Sequence, residues 1–68
     1  MMSRHFVARY MVYYDYDGMT QCESYPSRRA AENCFAALRT YKRCQWARLF
    51  DNKAPAAEAQ LDKFSKED

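Results

Sequence analysis

The sequence has no isoleucine, two valines and three leucines, so large aliphatic side chains are nearly missing. With phenylalanine they make nine of its 68 residues, a share often seen in disordered chains. Disorder, however, goes with high net charge and few aromatics. This chain has a net charge of +2 and eleven aromatic residues, which points to a folded domain. Its core must then draw on Tyr, Phe, Trp, Met and Ala. The single glycine excludes a glycine-rich phosphate-cradling loop. No stretch approaches the roughly 18 apolar residues of a membrane helix. Arg9 interrupts the apolar run near the N-terminus, so no secretory leader is expected and a cytoplasmic location is. The length allows one domain, near the lower limit for independent folding.

Three cysteines, Cys22, Cys34 and Cys44, are too few and odd in number for a secreted disulfide framework. They lack the close pair that structural zinc sites show. His5 could join them as a fourth ligand, but the economical reading is three reduced, partly buried, apolar side chains. No cofactor or metal is expected.

Residues 4–16 are aromatic and β-branched without Gly or Pro, and they read as a long strand. Asp17-Gly18 signals a turn, and residues 19–25 read as the return strand. A two-residue turn would set Val12 opposite Glu23 and Tyr14 opposite Gln21. A three-residue loop, Tyr16-Asp17-Gly18, would pair Val12 with Cys22 and Tyr14 with Thr20. The longer loop is preferred because it puts Gly18 at the left-handed position of a bulge. Phe6, Ala8, Tyr10, Val12 and Tyr14 then face the core. Val7, Arg9, Met11 and Tyr13 face away, with Gln21, Glu23 and Tyr25 beside them.

Ser27 is a good helix N-cap. Ala31, Cys34, Phe35, Leu38 and Tyr41 follow at helical spacing, predicting a helix from Arg28 to Lys42 or Arg43. Arg28 and Arg29 stand at its positive end, a local electrostatic mismatch that two solvated side chains tolerate. Residues 44–50 read as a third strand and Asp51-Asn52-Lys53 as a turn. Pro55 suits the first residue of a short helix over 55–66, with Ala57, Leu61 and Phe64 as a thin apolar stripe. The expected fold is α+β: β-β-α-β, an antiparallel three-stranded sheet of order 2-1-3 covered on one face by one helix. The ββαβ domain spans 1–53, and a short helix and charged tail span 54–68. Residues 1–50 carry +4 and residues 51–68 carry −2, so a basic body precedes an acidic tail that serves solubility or pairs with it.

Catalysis finds little support. The one histidine sits near the N-terminus, and no Ser, Cys or Lys stands beside it in sequence. Asp15 and Asp17 resemble a carboxylate pair, but turn acids usually serve backbone geometry. So small a core also leaves little room for a concave pocket. A non-enzymatic protein is expected.

The outward side of the sheet is more informative. Burying Ala47 and Leu49 rather than Arg48 avoids an unpaired buried charge. Arg9, Met11, Tyr13, Trp46, Arg48 and Phe50 would then share the face opposite the helix. Tyr, Trp, Met and Arg are enriched in protein interfaces and hot spots. Aromatics interleaved with Arg on a sheet also make single-stranded nucleic-acid platforms. In the opposite strand phase, Trp46 and Phe50 are core. A C-terminal helix laid over this face would likewise make it a second core. Arg29 and Arg43, on the outer side of the helix, form a second possible contact. The pI of 8.5 lies below the footprint of a dedicated nucleic-acid binder.

The strand 4–16, the Asp17-Gly18 turn, the Ser27-capped helix and the strand around Trp46 together resemble the small early proteins of bacteriophages and mobile elements. These include inhibitors of host RNA polymerase and anti-CRISPR proteins. The resemblance is architectural and covers about 50 residues. It implies a stoichiometric binder that blocks a larger host complex. The expected function is therefore a protein–protein inhibitor or adaptor, acting through the aromatic and arginine face or a strand edge. A single-stranded nucleic-acid binder and a small homodimerising subunit are the alternatives.

Overall fold

The computed structural model describes residues 8–66. Phe6, Val7 and His5, which the sequence assigns to the core, the outer face and a possible metal site, lie outside the described residues. The order is β1 (Tyr10–Tyr16), β2 (Met19–Tyr25), α1 (Arg28–Thr40), β3 (Trp46–Asp51), a 3-10 turn (Ala56–Glu58) and β4 (Gln60–Ser65). The strands form one antiparallel sheet in the order β2-β1-β3-β4. The expected α+β fold and the 2-1-3 order hold, and a fourth strand replaces the expected C-terminal helix.

The hairpin closes with two residues, not three. Tyr16 pairs with Met19, Tyr14 with Gln21 and Val12 with Glu23. Asp17 and Gly18 both take positive φ, 55° and 84°, and such a turn matches the right-handed twist of its strands. Asp17 is tethered on both groups. Its amide donates to the Arg43 carbonyl at 3.1 Å, and its carboxylate accepts from Arg43 Nη1 at 3.0 Å. The difference of one residue flips β2, because successive side chains point to opposite faces. Gln21, Glu23 and Tyr25 therefore lie on the helix side, and Thr20, Cys22 and Ser24 on the outer side. Tyr14 Oη donates to Glu23 Oε2 at 3.1 Å across the helix-side face.

Ser27 caps α1 as predicted, its Oγ accepting from the Ala30 amide at 3.2 Å. The helix stops at Thr40, so Lys42 and Arg43 lie beyond it and Tyr41 is exposed rather than part of the buried stripe. Arg28 is balanced within the helix by Glu32 one turn on, at 2.8 Å.

Val12, Ala31, Phe35, Leu38, Cys44, Ala47 and Leu49 form the buried core. Tyr10, Tyr14, Tyr25, Cys34, Leu61 and Phe64 ring it. The scarce aliphatics hold the centre and the tyrosines its margin. Trp and Met, which the composition offers as core-forming types, supply none of it: Trp46 and Met11 stay on the outward face to which the strand phase assigns them. Cys22 is exposed, against the expectation that all three thiols are partly buried.

The segment 55–66 has helical propensity and apolar residues four and three apart (Ala57, Leu61, Phe64), which is why it reads as a helix. In the folded chain β4 pairs with the free side of β3, and tertiary pairing overrides propensity. A bulge opposite Leu49 and Phe50 reconciles the spacing. It lets both Leu61 and Phe64 pack on the core. The Phe64 ring meets Phe35 edge-to-face at 5.4 Å, and the Arg39 guanidinium lies over both rings. Arg39 also approaches Asp62 at 3.9 Å, so the acidic C-terminal part does touch the basic body.

Candidate functional site

The phase of β3 decides the site. Ala47 and Leu49 point under the helix and are buried, while Trp46, Arg48 and Phe50 take the opposite face. On β1 the same alternation buries Val12 and turns Met11 and Tyr13 outward. Pairing of β1 with β3 then sets Met11 opposite Phe50 and Tyr13 opposite Arg48. Five of the six residues assigned to this face from the sequence thus form one continuous patch. The α1 helix packs on the other side, and β4 widens the sheet at its edge rather than lying across it.

The patch has defined internal contacts. Tyr13 and Phe50 meet edge-to-face at 5.7 Å and 83°. The Arg48 guanidinium stacks over the Trp46 ring at 4.9 Å. Tyr13, Trp46, Arg48, Phe50 and Asn52 line a shallow open groove. Tyr13 is 38% exposed, and Trp46 and Phe50 are half-buried. The neighbouring Cys22 thiol, more than burial, pushes the Tyr13 phenol above its ordinary value.

Sequence reasoning missed one contributor, Lys63. It stands directly opposite Arg48 on the same face. Like charges in a cross-strand pair are destabilising. Among the described residues no carboxylate lies within ion-pair distance of either. No sequence signal could have placed Lys63 there while 55–66 read as a helix.

The sixth residue, Arg9, has a different occupation. Its Nε and Nη2 donate to the two Asp51 carboxylate oxygens at 2.9 and 3.0 Å. The Arg9 guanidinium holds the Asp51 carboxyl below its usual range, helped by the Lys53 amide, while Asp51 keeps Arg9 more firmly protonated. This pair clamps the start of β1 to the end of β3. Asn52 adds to the clamp, its amide donating to the Arg9 carbonyl at 2.8 Å and its side chain to the Ala8 carbonyl at 3.1 Å. Arg29 is exposed in the first turn of α1, remote in sequence from the sheet patch. Arg43, assigned to the outer side of the helix, instead pins the loop after it to the hairpin turn.

Among the described residues no group of three His, Cys, Asp or Glu side chains is placed to hold a metal. No described helix is long and apolar enough to cross a membrane. No family model matches the chain, and neither does any curated protein or solved structure.

Proposed function

We propose that this protein is a non-enzymatic binder that docks a carboxylate-bearing surface of a larger protein onto the open face of its sheet. The observation that carries the reading is the juxtaposition of two cations, Arg48 and Lys63, neither with a carboxylate partner among the described residues, with Trp46, Tyr13 and Phe50. A sheet optimised for its own stability would not set Arg48 opposite Lys63. An acidic partner would relieve that repulsion, and the aromatics supply the large rigid contact area that hot spots use. Stoichiometric inhibition of a larger complex, as the architectural resemblance implies, is the mode such a face would serve.

Comparative crosslinking in cell extract tests this. The wild-type chain should capture a protein that Trp46→Ala/Arg48→Ala does not, while far-UV circular dichroism of the variant is unchanged. Equal capture by both removes the face from the interface. Single-stranded nucleic acid is the second reading, favoured by the same pairing of cations with stacking rings. It predicts quenching of Trp46 emission by mixed-sequence oligonucleotides that weakens steeply with salt. Unchanged emission across that titration leaves the protein partner.

A further inference from the structure

The two edges of the sheet are built differently, and the difference concerns the main chain. The Asn52 amide donates to the Arg9 carbonyl, and the Asp17 amide to the Arg43 carbonyl. Odd-numbered residues of β1 therefore bond toward β3, and even-numbered ones toward β2, as antiparallel alternation requires. Across the hairpin those even residues face Met19, Gln21, Glu23 and Tyr25. The N–H and C=O groups of Thr20, Cys22 and Ser24 are left pointing away from the sheet. On the opposite edge the same alternation turns the Lys63 amide outward, and there the Asp62 carboxylate accepts it at 2.8 Å. That edge also carries the bulge and two lysines, Lys63 and Lys66. Bulges, lysines and occupied amides are the devices by which edge strands avoid pairing. β2 has none of them. Its seven pairs with β1 run without a shift, it contains no Lys or Pro, and six of its seven residues are exposed.

We infer that β2 pairs antiparallel with β2 of a second copy of this chain, about a twofold axis at Cys22. The strand is complementary to itself in one fully overlapping register. Cys22 meets Cys22 of the second copy, Thr20 meets Ser24, Gln21 meets Glu23 and Met19 meets Tyr25. The strand's one charge, Glu23, thus faces an amide rather than another carboxylate. Three outward-facing residues per copy, each exchanging both main-chain bonds, give about six new hydrogen bonds. The pairing joins two four-stranded sheets into one of eight strands and extends the open face across both copies. A domain this small, with a seven-residue buried core among its described residues and no disulfide, gains ordered burial from such a joint. The inference does not depend on what the open face binds.

Sedimentation equilibrium of the full chain over a concentration series in reducing buffer tests it. The expected mass is twice the chain's 8.1 kDa. Ser24→Pro removes an outward amide and no internal ladder bond, and it should give the single-chain mass. Cys22→Glu and Cys22→Lys place like charges across the axis, so each alone should also be monomeric. Mixing those two should restore the doubled mass. This second pair keeps the test decisive should the proline disturb the hairpin. A wild-type monomer throughout overturns the inference and leaves a strand from another protein as the occupant. A dimer that persists in both charge variants moves the joint away from β2. A mixture that stays monomeric overturns the Cys22-centred register.

Discussion

The two faces of one strand show what each side of this sheet is for. On β3, Ala47 and Leu49 are sealed under α1, while Trp46, Arg48 and Phe50, one residue away each, place two large aromatic rings on the other side and leave part of them in water. The helix side obeys packing rules, with few aliphatics, alanine where the helix comes close, and tyrosines at the margin. The open side breaks one of those rules by setting Arg48 against Lys63. The contrast teaches that hydrophobic content alone does not mark the core of this protein. Register does.

Paired truncations along β3 and β4 test the contrast most strongly. Leu49→Ala should cost about 3 kcal/mol, the usual loss for a fully buried leucine. Phe50→Ala, on the open face, should cost about 1 kcal/mol, since part of the ring is already in contact with water and no helix covers it. Urea unfolding compares the two, and equal losses would mean that the open face is a second core. Phe64→Ala should fall between them, at about 2 kcal/mol, because its ring is only half-buried against Phe35.

Gly18→Ala addresses the turn that decides which residues of β2 join which face. Nothing lies within 4 Å of an added Cβ, so the cost is the positive φ alone. It should be about 1–2 kcal/mol, read as a shift in the unfolding midpoint without a change in slope.

The clamp at the strand ends should give a smaller, pH-dependent effect. Asp51 is held below its ordinary value of 3.8 by Arg9, so its contribution is complete above that pH. It is lost as the pH falls through the lower folded value. Asp51→Asn should therefore lower stability at neutral pH and flatten the acid limb of the stability curve below about pH 4. An unaltered acid limb would show that the Arg9 pair does not fasten the strand.

The smallest expected effect has the opposite sign. Lys63→Glu turns a repelling cross-strand pair into an attracting one and should stabilise by a few tenths of a kcal/mol. The same change should weaken capture of an acidic partner. Destabilisation by Lys63→Glu would mean that Arg48 and Lys63 are not neighbours in solution.

Local chemistry in the sequence was enough for much of this. The Ser27 cap, the apolar spacing of Ala31, Phe35 and Leu38, and the two-residue period of β1 and β3 each follow from neighbours in the chain, and they located the helix, three strands and the outer set Met11, Tyr13, Trp46, Arg48 and Phe50. Other features are energies of pairing between distant segments. The choice between two hairpin loops turned on whether Asp17 would accept a left-handed conformation, and contacts to Arg43, 26 residues away, help hold it there. Lys63 reached the open face, and Leu61 and Phe64 the core, because the unpaired side of β3 drew a segment of helical propensity into a bulged strand. Arg9, read as a contact residue, found Asp51 at a separation of 42 residues. Spacing along the chain reports which side of an element is apolar. Only the assembled sheet decides what each side meets.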